Sequence, residues 1–356
     1  MGKKRSWHPP TLGNFGTLFE RFAMSSAIAL HRLATPLLGG NRRRWCRYIF
    51  QGACGWALAA TAGCVEHGGG GRVPDLVWGR RGLADGRLLK PRAIAISPGD
   101  ELYIVDMTGR IQVFDTDGNF LRGWRTPEIK QGKPTGLAWS NDGDHLLVAD
   151  THYFRVLVYQ PDGTLVEQKT IGGTHGDAPG EFHFVTDVTQ DHRGHFFVGQ
   201  YGQIDQIQEF APDGQFLRRW GNQGSNPGDF SRPQSLIVDA HGWLWVADAC
   251  NHRIQVFDPS QDPPVLVSLW GAPGAAAGQL QYPYGIEWDH DGTLLVIEYG
   301  NHRVQRFDRE GRHLEMWGGP GTEPGQFRSP WALGLDSQRR LHVLDSMNHR
   351  VQRYAL

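Results

Sequence analysis

Cysteine is scarce in this chain. There are four in 356 residues, and three of them, Cys46, Cys54 and Cys64, fall in the first 64. Cys250 is left alone in the remainder, so no disulfide framework is expected there. Long apolar runs are also missing. The best of them, Tyr48 to Ala62, is too short for a membrane span and is broken by Gln51 and glycines; no lasting transmembrane helix is expected. No long stretch of helical period follows residue 70, which argues against a helical fold. Neither a Gly-x-Ser-x-Gly elbow nor a phosphate loop is present, which removes two common catalytic readings. Acids are nearly absent from residues 1–64, which hold Glu20 alone of the 37 acids but nine of the 36 Lys and Arg. The remainder is therefore acidic, about nine charges negative, although the whole chain is only −1. No nucleic-acid partner is expected of such a domain, because phosphate contacts supply most of that affinity.

What is abundant is repetition. An apolar strand ending in an acid is followed by Asn-His-Arg and then by Val/Ile-Gln-x-Phe/Tyr. The block spans Ala247 to Phe257, Ile297 to Phe307 and Leu344 to Tyr354. Weaker copies lie at Asp150 to Tyr159, at Asp106 to Phe114, which is one residue shorter, and at Gln200 to Phe210, which is one longer. The strand-ending residues Asp106, Asp150, Gln200, Asp248, Glu298 and Asp345 recur about every 44 to 50 residues, the spacing of a propeller blade.

Each unit carries four strand signals separated by turns such as Asp117-Gly118, Asp162-Gly163, Asp213-Gly214 and Asp291-Gly292. The last unit stops at Tyr354 without its fourth strand, and Asp75 to Gly79 matches the missing piece. The prediction is an all-β fold: a six-bladed β-propeller of four-stranded blades, its ring closed by residues 75–79 and leaving no raw sheet edge. The Asn-His-Arg signature and the Pro-Gly-x-Phe-x-x-Pro lead-in (Pro227 to Pro233, Pro324 to Pro330) resemble the NHL-repeat family. The resemblance covers essentially all of the chain after residue 72. It is specific for fold and says little about function.

The N-terminal region reads as an export signal: the basic run Arg42 to Arg47, a short apolar stretch and Thr61-Ala62-Gly63-Cys64. Arg-Arg-x-Trp is similar to a twin-arginine signal, and Ala-Gly-Cys to a lipobox with Thr61 where Leu is usual. The expectation is an exported bacterial protein, lipid-anchored through Cys64 on the cell envelope; simple cleavage or an uncleaved anchor is the alternative. The distal placement of this signal points to Met24 as the start, with residues 1–23 an artefact. Two regions are thus expected, 1–64 and a propeller at 65–356, acting as a monomer.

The acid-to-arginine spacing is the most regular feature. Asp150/Arg155, Asp248/Arg253, Glu298/Arg303 and Asp345/Arg350 are expected to brace the turn between the second and third strands. Blade-spaced His252, His302 and His349 are expected on the surface rather than around a metal, and Trp78, Trp124, Trp220, Trp270 and Trp317 in inter-blade packing. Function is expected where one blade departs from its siblings. The entry positions, each after a lead-in proline except in the third blade, where Val185 precedes, are Arg92, Thr135, Thr186, Gln234, Tyr284 and Trp331. Asp187 and Glu287 interrupt columns of small or apolar residues next to them. Together with Gln200, Tyr201 and His183 they make the candidate ligand-binding set on the channel rim, with no catalytic residue assigned. The NHL-repeat family includes an amidating lyase that holds zinc through histidines at the positions after these prolines. None of the six residues here is His, so the resemblance does not bring that chemistry with it. Asp187 and Glu287 are oxygen ligands suited to calcium or magnesium, as in gluconolactonase-like propellers. The leading expectation is a non-catalytic module for an envelope protein or small molecule; the alternative is a metal-dependent hydrolase or lyase.

Overall fold

The computed structural model describes residues 72–356. Cys64, the basic run and the Met24 start lie outside the described residues. Among the described residues, no helix is long and apolar enough to cross a membrane.

Six sheets of four antiparallel strands make the fold. The innermost strands are Pro91–Ile96, Gly136–Trp139, Phe184–Gln190, Pro233–Val238, Pro283–Trp288 and Leu333–Leu335. We number the blades 1 to 6 in that order. The innermost strands neighbour one another in sequence, and the last meets the first, so the blades form a ring. In blade 6 the order outward is Leu333–Leu335, Arg340–Asp345, Arg350–Ala355 and then Leu76–Trp78. The N-terminal strand pairs with the C-terminal one in the register Leu76 to Arg353 and Trp78 to Val351. The expected fold and its closure are therefore both present. Blade 2 departs from the pattern, because its outer strand is only Ile171–Gly172 behind a 3-10 turn at Glu167–Lys169.

Burial explains the strand sequences. Second strands such as Leu244–Asp248 are covered on both faces by neighbouring blades and read as nearly continuous apolar runs, whereas equally buried third strands such as Arg253–Asp258 carry the repeated Arg and Gln among their apolar residues. Outer strands such as Val265–Trp270 alternate, with one face wet. The core is six apolar clusters, one at each junction between blades. Rim tryptophans cap these junctions. Trp78, Trp124 and Trp270 lie over Gly118, Gly163 and Gly311 in the turns of the following blade, where any Cβ would strike the indole.

The repeated charges brace the blades. Arg253 donates from Nε to Asp248 Oδ2 at 2.7 Å and from its terminal nitrogens to the carbonyls of Ser225, Asn226 and Asp229. Arg303 with Glu298 and Arg350 with Asp345 repeat this arrangement. Arg155 meets Asp150 at 2.9 Å but turns its outer nitrogen to exposed Glu128. The Asn of each Asn-His-Arg caps the turn by donating to the same acid.

The histidines do something the repeat spacing did not reveal. They are only half-exposed and sit in the left-handed region (φ 56°, 56° and 58°), which His tolerates better than most residues. From there Nδ1 of His252, His302 and His349 accepts the backbone N–H of Tyr282, Ser329 and Lys90. Each histidine thus stitches its blade to the next. Burial lowers their pKa values, which keeps the accepting ring neutral.

Candidate functional site

The six innermost strands enclose a central cavity of about 190 Å³. An apolar cavity of about 150 Å³ can take in benzene, so this one suits a small molecule. The backbone shifts register immediately after the lead-in residue in blades 1, 3, 4 and 5. Such a bulge re-aims side chains. It lets Arg92, Gln234 and Tyr284 line the cavity beside the residues that follow them.

The mouth is a belt of rings and cations. The Arg92 guanidinium lies 4.8 Å over Trp331. Trp331 meets Tyr284 edge-on at 5.0 Å, and Tyr284 stacks on Tyr299 at 4.7 Å. Arg232 lies 4.6 Å over Tyr201 and 5.5 Å over Tyr284. Phe184 continues the belt from Tyr201 to His152. Burial and the Arg232 charge lower the Arg92 pKa to about 10. Burial and the nearby cations Arg92, Lys133 and Arg232 lower that of His152 to about 4. Arg92 makes no hydrogen bond or ion pair with any described residue. A cation enclosed this way is costly without an anionic or aromatic partner.

Deeper in the same cavity stand Asp187 and Glu287. Asp187 Oδ2 accepts the Leu236 N–H at 3.0 Å, and Glu287 Oε1 accepts the Trp288 N–H at 3.1 Å. Burial raises both pKa values to about 7, and the Asp187 charge adds to the effect on Glu287. Gly136 leaves room for Asp187, because a Cβ there would run into the Asp187 carboxylate and stand 2.8 Å from the Thr186 carbonyl oxygen. Among the described residues, no group of three or more His, Cys, Asp or Glu is arranged to hold a metal ion.

The structure does not gather all the residues singled out in the sequence. Arg92, Asp187, Gln234, Tyr284, Glu287 and Trp331 share the cavity, with Tyr201 at its mouth. Gln200 and His183 are elsewhere. Gln200 sits fully buried at the strand-end position, where it accepts from Gln208; blade 3 lacks the acid–arginine pair, and an amide fills its place. His183 is 2% exposed and spends Nε2 on Asp177, with its ring edge-on to His175. Thr135 also lines the cavity, with its hydroxyl donating to the Thr186 carbonyl of the next blade, while Thr186 donates to the Pro233 carbonyl and is not part of the lining. Gln234 holds Arg232, accepting from its Nε at 2.8 Å.

Arg232, Tyr299, His152 and Phe184 were not singled out in the sequence. A signal existed for two of them. Arg232 immediately precedes a lead-in proline, a position that adopts a left-handed φ in Lys90, Arg232, Tyr282 and Ser329. Tyr299 follows a strand-end acid, at the same repeat position as Tyr201.

Comparison with known proteins agrees with this architecture. The family profile described as NHL repeat matches residues 230–257. "NHL repeat-containing protein 3" of Mus musculus is 30% identical over 164 residues, 43% of this chain and 46% of that protein. "Peptidyl-glycine alpha-amidating monooxygenase B" of Xenopus laevis is 34% identical over 134 residues, 35% of this chain and 15% of that protein. The matched region thus spans less than half of these relatives. A streptogramin B lyase structure superposes with a TM-score of 0.55 at 16% identity, over 78% of this chain and 85% of that one; the likeness is one of fold.

Proposed function

We propose that this chain, a six-bladed NHL-repeat propeller, binds an anionic small molecule or anionic side group at the mouth of its central channel. An NHL propeller is a module of protein-binding type, and the proposal narrows where and how this one binds. The observation that carries it is Arg92, held on Trp331 beside Arg232 with no hydrogen-bond partner among the described residues. An arginine without an anion presents its donor fork to whatever carboxylate or phosphate arrives. The aromatic belt supplies faces for an apolar body attached to that anion.

Benzoate, an aromatic carboxylate, is the first probe. Calorimetry on the full chain should show saturable binding, weakened at least ~10-fold, or about 1.4 kcal/mol, by Arg92→Gln. No heat from benzoate or inorganic phosphate at millimolar concentration would sink the reading.

We also propose that the module acts outside the cytoplasmic membrane, anchored through Cys64, on the strength of the basic, apolar and Ala-Gly-Cys order of residues 42–64. Labelling of the full chain with radioactive palmitate in a bacterial host should mark the wild type and not Cys64→Ala. An unlabelled wild type would remove the anchor.

A further inference from the structure

We infer that Asp187 and Glu287 form a second, cationic-group pole of the same channel, so that the ligand is a zwitterion with its anion at Arg92 and an ammonium group at the two carboxylates. This rests on the anion-binding reading and specifies the other end of the ligand.

Placement is the first support. Arg92 and Tyr284 stand at the lead-in level of their strands, and Glu287 is three residues further along the strand from Tyr284. At about 3.3 Å per residue this sets the poles roughly 10 Å apart at most along the channel. Asp187, one residue beyond the lead-in position of blade 3, lies between those levels.

Lack of compensation is the second. The Arg232 charge acts on Arg92, but neither arginine figures among the influences on the carboxylates: Asp187 feels burial and donors from Leu236, Val188 and Ser235, and Glu287 feels burial, the Trp288 N–H and the Asp187 charge. The channel therefore has a positive mouth and a negative middle that do not neutralise one another. Two enclosed carboxylates whose donors are all neutral, with no cationic partner among the described residues, want a cation. Arg92, enclosed in the same cavity without a hydrogen-bond partner among the described residues, independently marks it as a ligand site.

Shape is the third. An ammonium group fits better than a divalent ion, because only two carboxylates line the cavity and, among the described residues, no group of three or more His, Cys, Asp or Glu is arranged to hold a metal. Calcium takes six to eight oxygen ligands, whereas an ammonium group needs three acceptors at most. The volume of about 190 Å³ admits one ring with a charged group at each end.

The test compares benzoate with 4-(aminomethyl)benzoate, which adds an ammonium group opposite the carboxylate. Calorimetry at pH 8 on the full chain should show the zwitterion binding about tenfold more tightly, a gain of about 1.4 kcal/mol. Glu287→Gln and Asp187→Asn should each reduce the gain, read within each variant as the ratio of zwitterion to benzoate affinity, to about twofold or less. The gain should also fade at pH 5. The cavity's other ionisable residues, Arg92 and Tyr284, do not change charge between those values. Thermal melts of both variants confirm folding. If benzoate binds and the amine adds nothing, the cationic pole is wrong and the anion site stands. If neither binds, the anion reading fails as well. Stabilisation by calcium chloride that is lost in Glu287→Gln, with no gain from the amine, would make this a metal site and overturn the proposal.

Discussion

Arg253→Ala is expected to lower the stability of the propeller by about 3–5 kcal/mol, the range for breaking a buried ion pair by removing one partner. Asp248 is fully buried, and its ring of donors (Ser231 N–H, Asn251, Arg253 and Gln255) loses its only charge. The carbonyls of Ser225, Asn226 and Asp229 lose the Arg253 guanidinium in the same step, although Asn226 keeps the Asp229 N–H and Asp229 keeps Gln255. These belong to the loop leading into blade 4, so the damage reaches beyond one turn. Arg155→Ala should cost less than half as much. Its side chain is 19% exposed, it makes no bonds to loop carbonyls, and its partner Asp150 has one oxygen without a partner. Urea denaturation of the two variants provides the measurement. Equal losses would refute the claim that the loop carbonyls, rather than the charge pair alone, make these arginines important.

The double variant Asp187→Asn/Glu287→Gln should be more stable than the wild type at pH 8 and no more stable at pH 4.5. In the folded protein both carboxyls ionise near 7, against ordinary values of 3.8 and 4.5. Between about 4 and 7 the unfolded chain gives up protons that the folded chain keeps. Wild-type stability therefore falls as pH rises through that window and stays low above it. A shift of this size corresponds to about 4 kcal/mol for one fully enclosed group. Channel water and the coupling of the pair reduce it, so about 2–4 kcal/mol for both together is expected. Melting curves from pH 4.5 to 8 check the sign. A difference that does not change with pH would mean that the carboxylates are not held against their preference. The same experiment bears on function, since a site kept at a cost to stability is what binding would relieve.

The blade count, the closing strand and the acid–arginine braces were legible in the sequence because each is written several times. A period of 44 to 50 residues survives local variation. The missing fourth strand of the last unit had only one match, at Asp75 to Gly79. The site was legible only in part. Asp187 and Glu287 stood out as departures from their columns, and Arg92, Gln234, Tyr284 and Trp331 as entry positions that differ from blade to blade; all six line the cavity. Gln200 and His183 stood out equally and do not face it, because blade 3 rebuilt its brace from amides and a His–Asp pair. The blade-to-blade role of His252, His302 and His349 was hidden for a related reason. A bond from Nδ1 to a backbone N–H 27 to 30 residues ahead in two of them leaves no mark on residue type.

By itself, then, the sequence determined the ring: strand period, turn residues, repeat length and paired charges are local or repeated facts, and each blade must bury its apolar faces on the next. Only the tertiary structure decided the site. The belt from Arg92 through Trp331, Tyr284 and Tyr299 to Arg232 and Tyr201 draws on blades 1, 3, 4, 5 and 6. Its members come together because bulges and left-handed residues at the lead-in turn their side chains to one axis. The two poles of the channel arise because closure of the ring encloses opposite charges at different depths in one small volume, where burial and mutual repulsion set their ionisation.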